Sequence, residues 1–413
     1  MKNPTTTDLQ RILLSSKHDF STFRGSLTHY RNLYSAELYE HVLPFWLKHS
    51  LDLEYGGYFN CLDEDGTVYD TRKHCWLQGR QVWMLSKIHN GHFSPGESSP
   101  FLQAARLGAA FLRTHARVGD RVYFSLLRNG APHAMQRKMF SECFYVMAMA
   151  EYARASGDKT AYDEAHQLFA KVQEYARNPS LLGRPAYDNG LPATSELAVP
   201  MILLNLIEEL NGSEGLGYAE TSEWCVQQID KHYRPEMRLV LETVGADGAP
   251  MDTIEGRLLN PGHAIECGWF LLSYAVKTGN ADLRQKALNM IEWSFDLGWD
   301  TKEGGLFYFL DREGYSPVQL EWSQKLWWPH CEALVAFLMA FKETGNPHYF
   351  ERFKQVHDYT FAKYPDRKHG EWYGYLDRYG EINQRFKGGP YKGCFHVPRA
   401  LHLVLETMKT MGV

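Results

Sequence analysis

A Trp-Trp-Pro-His-Cys-Glu stretch begins at Trp327, immediately before a strongly apolar run. Pro329 suits the first turn of a helix, where its missing N–H group would have no partner in any case. We therefore expect Trp327 and Trp328 to lie exposed at a mouth, with His330 and Glu332 in the first helical turn. Indoles beside an imidazole and a carboxylate are typical of a sugar-binding platform with acid–base chemistry next to it. The alternative is a tryptophan-rich helix start packed into a core.

The same construction recurs at other helix entrances along the chain. Six turn glycines follow one another at intervals of 58–66 residues: Gly66, Gly130, Gly190, Gly248, Gly314 and Gly380. A polar side chain recurs 12–16 residues after these glycines: Arg80, Glu142, His263, His330 and His396. If the following helices start on one face, these side chains converge there. The positive end of a helix lowers the pKa of an imidazole at its N-terminus, which favours the neutral, basic form.

Each interval between turn glycines has room for one short hairpin and two helices. Alternating aromatic residues around Asp-Gly or Asn-Gly turns predict the hairpins. Long apolar runs after the turns predict inner helices at 76–88, 140–152, 197–210, 264–275, 333–341 and 397–408. Amphipathic runs such as 104–114 and 283–295 predict outer helices. Six helical hairpins, with strands too short for a sheet core, predict an all-α (α/α)6 barrel with short β-hairpins at its mouth.

Composition restricts the class of protein. The 413 residues carry a net charge of −5 with a pI near 6.4, which excludes a basic surface for nucleic acid. No apolar run approaches the roughly 20 residues that cross a bilayer. Seven scattered cysteines without a Cys-x-x-Cys pair indicate a reducing, cytoplasmic compartment. Without any linker, we predict one domain over residues 1–413, with residues 1–26 as a polar lead-in that is not a signal peptide.

Other kinds of site are less compatible with the sequence. Three histidines and a glutamate could bind zinc, but the chain has neither a His-x-x-x-His nor a His-Glu-x-x-His pattern, so we predict no metal site. It also contains no Gly-x-x-x-x-Gly-Lys-Ser/Thr loop for a nucleotide phosphate. A glycoside hydrolase would need two opposed carboxylates. Glu266 and Glu332 could supply them, and this reaction stays open as the enzymatic alternative.

Five motifs make the chain resemble a known family. They are residues 76–83 (WLQGRQVW), 140–144 (FSECF), 260–263 (NPGH), 327–330 (WWPH) and 387–399 (KGGPYKGCFHVPR). They resemble the N-acylglucosamine 2-epimerase family, also called renin-binding protein, from about residue 34 to 405. The resemblance implies an (α/α)6 barrel that interconverts N-acetylglucosamine and N-acetylmannosamine at the entry to sialic acid metabolism. Related cellobiose 2-epimerases usually carry a further histidine on the third inner helix, where this chain has residues 196–200 (ELAVP), so the N-acylhexosamine branch is favoured.

The resemblance also implies roles for individual residues. Carried over by motif, His263 and His396 are the two catalytic bases, Arg80 holds the enolate oxygen, and Glu332 orients one imidazole. A further set is expected to contact the sugar: His330, Glu266, Trp327, Trp328, Tyr391 and Lys392. ATP is implied as an activator that is not consumed, at a site that no motif locates. A homodimer in the cytoplasm is expected, with no nucleic-acid or membrane partner.

Two alternatives stay open beside the epimerase. A glycoside hydrolase using Glu266 and Glu332 would lose its activity when either carboxylate is replaced and would tolerate replacement of either histidine. A non-catalytic renin-binding protein would depend on its surface rather than on the barrel mouth. Neither alternative explains why histidines recur at the same depth of the repeat.

Overall fold

The computed structural model describes residues 18–183, 193–212 and 217–413. The predicted turn at Gly190 lies outside these residues. The helices are α1 Arg24–Ala36, α2 Leu43–His49, α3 Cys75–His92, α4 Pro100–Phe111, α5 Phe140–Ser156, α6 Lys159–Arg177, α7 Ala198–Asn211, α8 Ala219–Asp230, α9 Ile254–Arg257, α10 Pro261–Thr278, α11 Ala281–Gly298, α12 Trp327–Thr344, α13 Pro347–Lys363 and α14 His396–Thr410. Wider π-helical turns continue the chain after α1 (Glu37–Val42) and after α4 (Leu112–Ala116). Within this part of the chain, none of the helices combines the length and apolar character needed to cross a membrane.

Six helices form a closed inner ring in the order α3, α5, α7, α10, α12 and α14, and α14 returns to α3. Each of the first five inner helices packs against the outer helix that follows it in sequence. The sixth, α14, packs against α1 and thereby joins the two ends of the ring. The inner helices are apolar nearly all round, as in α12 and α5, because they contact neighbours on every side. This is the (α/α)6 barrel predicted from the repeat, and all six predicted inner helices are present.

Short strands gather at the end of the barrel where the inner helices begin. They are β1 Cys61–Leu62, β2 Val68–Asp70, β3 Lys73–His74, β4 Arg117–Val118, β5 Arg121–Val122, β6 Ser125–Leu126, β7 Pro132–Ala134, β8 Thr194–Glu196, β9 Tyr233–Arg234, β10 Leu239–Val240, β11 Thr243–Gly245, β12 Leu258–Leu259, β13 Leu310–Asp311, β14 Lys325–Leu326, β15 Tyr375–Leu376 and β16 Ile382–Gln384. Hairpins β1–β2, β6–β7 and β15–β16 enclose Gly66, Gly130 and Gly380. These three turn glycines have φ of +79° to +89°, a conformation that favours glycine.

Two predicted hairpins do not form. The strand directly before Gly248, β11, pairs with β8, and the predicted strand at β10 pairs with the preceding β9. The strand before Gly314, β13, pairs with β12. Other pairs also connect neighbouring repeat units: β3 with β6, β8 with β11, and β14 with β15. Strands of two or three residues form too few backbone hydrogen bonds to specify one partner strongly, so the pairing differs from one unit to the next. Backbone hydrogen bonds between neighbouring units therefore hold together much of the mouth of the barrel.

Three buried lysine–aspartate ion pairs hold in place the segments that lead into three of the inner helices. Lys73 Nζ lies 2.9 Å from Asp52, Lys325 Nζ 2.9 Å from Asp300, and Lys387 Nζ 2.9 Å from Asp366. All three lysine side chains are fully buried. Each aspartate also accepts backbone N–H groups of the turn that follows it, as at Glu54 and Lys368. The pKa of Asp52 and that of Asp366 are lowered to about 2, because these hydrogen bonds and the lysine charges outweigh the cost of burial.

The predicted polar lead-in at residues 1–26 is wrong at its C-terminal end. Residues 1–17 lie outside the described part of the chain. Phe20 and Phe23, in contrast, place their rings 5.0 Å from the ring of Phe341, and Phe23 also contacts Phe350. Helix α1 begins at Arg24. Apolar residues spaced by three along an otherwise polar segment were sufficient to attach it to the barrel.

Candidate active site

The first turns of the inner helices surround a cavity of about 1570 Å³. All six inner helices contribute a side chain to its wall within their first two turns: Arg80, Ser141, Met201, His263, Trp328 and His396. Aromatic rings provide much of the remaining wall, together with Tyr308 and Tyr391 from the loops. A deep cavity lined by aromatic surfaces and a few charged groups suits a small polar ligand that has apolar faces, such as a sugar.

Arg80 reaches this cavity from α3 through an aromatic cage. Its guanidinium carbon lies 4.5, 4.1 and 4.6 Å from the ring centroids of Trp76, Phe144 and Phe395. Burial and the nearby Arg399 lower the pKa of Arg80 to about 9, which still leaves it a cation at neutral pH. Its Nη1 lies 3.4 Å from Nε2 of His396, and its Nε has no hydrogen-bond partner. The cage holds a fixed positive charge with donors left for a ligand.

His396 is the first residue of α14 and is held from behind by a carboxylate. Its Nδ1 lies 2.7 Å from Oε1 of Glu332, which fixes the proton on Nδ1 because a carboxylate accepts only. Nε2 then carries the lone pair and faces Arg80. Trp269 donates to the second oxygen of Glu332 at 2.9 Å, so the carboxylate cannot rotate away. Burial, followed by the charges of Arg80 and Arg399, lowers the pKa of His396 well below its usual value.

His263 is the third residue of α10, after the N-cap Asn260, whose side chain accepts the backbone N–H of His263. Its Nδ1 lies 2.9 Å from Oε1 of Glu242, which follows strand β10. Burial lowers the pKa of His263, but the charge of Glu242 and the hydrogen bond to it outweigh burial, so that the pKa is raised overall. Compared with a free imidazole, His263 is therefore shifted toward the protonated form and His396 toward the neutral form. Both leave Nε2 available for a ligand.

One indole contacts both histidines. The ring centroid of Trp328 is 5.3 Å from that of His263 and 5.9 Å from that of His396. Gly262 allows this arrangement, because a Cβ at that position would lie 2.6 Å from the indole of Trp328. Trp327 and Tyr391 also line the cavity. Contrary to prediction, both tryptophans are buried rather than exposed, while Tyr391 is 67% exposed at the rim.

Arg399 connects the carboxylates behind the site. Its Nη2 lies 2.7 Å from Glu266, 2.6 Å from Glu332 and 3.3 Å from Nδ1 of His396. Glu266, Glu332 and His396 bring their potential ligand atoms within 4.8 Å of one another, as a metal site would. The guanidinium of Arg399 already places a positive charge among all three. Glu266 also lines the cavity, while Glu332 is fully buried behind His396.

Two predicted substrate-binding residues lie away from the cavity. His330 is fully buried, accepts the backbone N–H of Leu306 on Nε2 at 2.9 Å and directs Nδ1 at the carbonyl of Leu326 at 2.6 Å. Lys392 is also fully buried, where its Nζ lies 2.9 Å from Glu371 and donates to the carbonyl of Lys387. The predictions for these two side chains are wrong. Both point into the protein to connect loops with helices.

Sequence reasoning missed three residues that complete the site. Arg399 lies one helical turn after His396 and therefore on the same face of α14, which is a readable signal. Glu242 precedes His263 by 21 residues, and the same separation relates other buried charged pairs in the chain. Trp269 gave no signal, since an indole in an apolar helix is usually part of the core.

A family model described as N-acylglucosamine 2-epimerase (GlcNAc 2-epimerase) matches residues 57–400. This chain belongs to that family. It is 46% identical over 381 residues to the N-acylglucosamine 2-epimerase of Bos taurus, which covers 90% of each chain. It is 42% identical over 403 residues to that of Homo sapiens, which covers 96% of this chain and 94% of the relative. The resemblance drawn from the five motifs is confirmed.

Solved structures confirm the barrel of this epimerase family. Cellobiose 2-epimerase from Bacillus thermoamylovorans B4167 superimposes with a TM-score of 0.78 at 22% identity and covers 92% of this chain and 99% of that chain. A D-mannose isomerase gives 0.77 at 18% identity, covering 91% and 98%. A family 76 glycoside hydrolase shares the fold at a TM-score of 0.60 but only 11% identity. The comparisons thus support an epimerase enzyme and do not favour the glycoside hydrolase or the non-catalytic renin-binding alternative.

Proposed function

We propose that this chain interconverts N-acetyl-D-glucosamine and N-acetyl-D-mannosamine by removing and returning the proton at C2 of the ring-opened sugar. The relatives from cattle and human carry the name of this activity. The observation that supports the reaction most directly is the pair of histidines with opposite pKa shifts. Both rings contact one indole at the wall of one cavity, so that both titratable groups face the space where one ligand would bind.

The first half of the reaction uses His396 and Arg80. Ring opening exposes a C1 aldehyde, which makes the neighbouring C2–H bond acidic. The neutral Nε2 of His396 takes this proton, the C–H electron pair becomes the C1–C2 double bond, and the carbonyl electrons move to the C1 oxygen. Arg80 donates to that oxygen from a position 3.4 Å from Nε2. A preorganised donor of this kind is worth roughly 3 kcal/mol of transition-state stabilisation.

The second half uses His263. Its protonated Nε2 gives a proton to the opposite face of C2 while the carbonyl at C1 re-forms. His396 is then protonated and His263 neutral, which is the state that begins the reverse conversion. The pair carries one proton in both directions. Glu332 and Glu242 fix the tautomers of the two rings, as a carboxylate does behind a catalytic histidine. Arg399 keeps Glu332 and Glu266 in place.

Hydrogen–deuterium exchange tests this reaction. N-acetylmannosamine is incubated in D₂O with the wild-type enzyme, with and without ATP, and the C2 proton is followed by NMR. We expect deuterium at C2 of both sugars. His263→Asn and His396→Asn should each lower net epimerisation by roughly 10²–10⁴-fold, the usual contribution of a general base. One of these variants should still exchange the C2 proton of a single epimer, because its remaining base acts on one face only.

The outcomes separate the competing mechanisms. If the wild-type enzyme exchanges no C2 proton under either condition, the epimerase reaction is refuted. A single histidine that serves both faces predicts that one variant loses all exchange and the other stays substantially active. A hydrolase would release reducing sugar from an oligosaccharide and would depend on Glu266, because Glu332 lies behind His396 and away from the cavity wall.

The remaining expectations rest on the family resemblance, and we propose them on that basis. They are activation by ATP that is not consumed, a homodimer, a cytoplasmic location and a role in the metabolism of sialic acid. Initial rates with ATP and with a non-hydrolysable analogue test the first, and sedimentation velocity tests the second. Equal rates with and without nucleotide would contradict the proposed activation by ATP.

A further inference from the structure

Asn205 presents an unused hydrogen-bond acceptor to the cavity. The residue lies on α7, is only 4% exposed and lines the cavity wall. Its Oδ1 has no hydrogen-bond partner. Among the described residues of the cavity wall, one other acceptor shares this property, Oε2 of Glu242. A buried polar atom without a partner costs about 1–3 kcal/mol, so an orphaned acceptor in a binding cavity indicates a donor on the ligand.

The surroundings of Asn205 are apolar. Met201 and Ile202 lie four and three residues earlier on the same helix, hence on the same face, and both line the cavity. Phe270 of α10 also contributes to the wall. The two orphaned acceptors therefore have different neighbours. Glu242 is a carboxylate whose other oxygen holds His263, whereas Asn205 is a neutral amide beside aliphatic side chains.

We propose that Asn205, Met201 and Ile202 form the subsite for the acylamino group of the substrate. Oδ1 of Asn205 accepts the amide N–H, and the acyl methyl group packs against Met201 and Ile202. An acetamido group has the matching pattern, a neutral N–H donor next to a methyl group. The N–H donor and the adjacent methyl group together distinguish an N-acylhexosamine from the parent hexose, whose C2 hydroxyl also donates but brings no acyl group. Asn205 is thus a specificity-determining residue; this assignment rests on the proposed function.

Two unreactive open-chain alcohols test the subsite without catalysis. N-acetyl-D-glucosaminitol carries the acetamido group, and D-glucitol has a hydroxyl in its place. Their dissociation constants are measured by calorimetry for the wild-type enzyme, Asn205→Leu and Asn211→Leu. Leucine matches the size of asparagine without an acceptor, and Asn211 lies at the end of the same helix, away from the cavity. Because the amide that Asn205→Leu removes has an unpaired acceptor, we expect its melting temperature to equal or exceed that of the wild type.

We expect the wild type and Asn211→Leu to prefer N-acetyl-D-glucosaminitol. Asn205→Leu should reduce this preference by roughly tenfold or more, the cost of leaving one buried donor unpaired. Met201→Ala should weaken binding of the acetamido compound severalfold and leave binding of D-glucitol nearly unchanged. An unchanged preference in Asn205→Leu overturns the subsite, and so does equal weakening of both compounds, which would place Asn205 at a shared hydroxyl.

Failure of the subsite is distinguishable from failure of the reaction. C2 exchange of N-acetylmannosamine by the wild-type enzyme reports the reaction alone. If this exchange occurs and Asn205→Leu keeps the wild-type preference, only the subsite is refuted. If the wild type shows no exchange, the reaction is refuted whichever compound binds more tightly.

Discussion

His263 and His396 carry the same side chain, yet their surroundings favour opposite protonation states. Glu242 raises the pKa of His263, while burial together with Arg80 and Arg399 lowers that of His396. Between these two pKa values the pair holds one proton, located on His263. A proton donor and a proton acceptor are therefore present together without any change in pH. A glutamate contacts Nδ1 of each ring, so the chemical difference arises mainly from the two arginine charges near His396.

Replacing Glu242 by glutamine should narrow the pH range of activity. Activity requires one proton on the pair, so it falls as pH rises through the raised pKa of His263. Without the Glu242 charge, burial dominates and this pKa decreases, which moves the alkaline limb of the kcat/KM profile to lower pH. The profile is measured from pH 5 to 10. Glu321→Gln, at another cavity-lining carboxylate, serves as the control. An unmoved alkaline limb in Glu242→Gln would contradict the role of His263 as the acid.

The sequence predicted the central residues of the site better than their neighbours. A polar group 14–16 residues after the turn glycine identified Arg80, His263 and His396 as side chains that reach one face. His330 occupies the same register, but its Nε2 accepts the backbone N–H of Leu306 and is therefore not available to a ligand. That contact joins residues 24 positions apart through loop geometry, which no local pattern encodes.

At the scale of elements, a constant separation connects the hairpins to the inner helices. Charged partners lie 21 residues apart in five pairs: Asp52–Lys73, Arg121–Glu142, Glu242–His263, Asp366–Lys387 and Glu371–Lys392. Each pair joins the stretch before a turn glycine to the segment that leads into the next inner helix or to the first turn of that helix. These 21 residues are the segment in which the chain runs through the mouth of the barrel, from one charged partner through the turn to the other. The Glu242–His263 pair in the active site is thus one case of a structural rule of the repeat.

Asp366→Asn should destabilise the barrel by about 3–5 kcal/mol, because it leaves Lys387 charged and fully buried. Asp366→Leu combined with Lys387→Met should restore much of this loss, since no charge is left buried. Unfolding in urea measures both. Lys363→Met removes a partner of the exposed Glu381 and should cost less than about 1 kcal/mol. Similar losses for Asp366→Asn and Lys363→Met would contradict the importance of the buried pair.

The same pair predicts a pH dependence of stability. Folding lowers the pKa of Asp366 to about 2 from an ordinary value near 4. The stabilisation is therefore complete above about pH 4 and is lost as the pH falls through 2.

Helix positions were predictable because apolar runs of helical period are long. Strand pairing was not, since β10 and β13 comprise two residues each and their partners lie in other segments.

At the scale of the whole molecule, the barrel closes through its two ends. Helix α14 supplies His396 and Arg399 and packs between α12, α3 and α1. The site consequently contains residues from the first inner helix and from the last. The regular spacing of the turn glycines predicted six units and their closure into a ring. It did not predict that the outer partner of α14 would be α1, because the segment before Arg24 is polar apart from a few aromatic residues.

Phe23→Ala should lower the stability of the ring and leave its chemistry unchanged. The Phe23 ring contacts Phe341 of α12 and Phe350 of α13, so its loss should cost about 2 kcal/mol, less than for a fully buried phenylalanine. Urea unfolding measures the loss, and kcat/KM for N-acetylmannosamine should stay within twofold of wild type. Leu320→Ala, at a side chain 96% exposed, should change neither quantity. A wild-type urea midpoint for Phe23→Ala would show that this contact does not hold the ring.

The buried lysine–aspartate pairs also determine where related proteins can differ in length. Asp300 and Lys325 are separated by 25 residues, whereas Asp366 and Lys387 are separated by 21, yet both pairs meet at 2.9 Å. The four additional residues between Asp300 and Lys325 are accommodated in the loop before Lys325, where Leu320 is almost fully exposed. Natural insertions and deletions should therefore accumulate between paired positions, at the turns around the cavity. Changes in loop length can therefore alter the rim of the sugar-binding cavity while the inner helices keep their positions relative to one another.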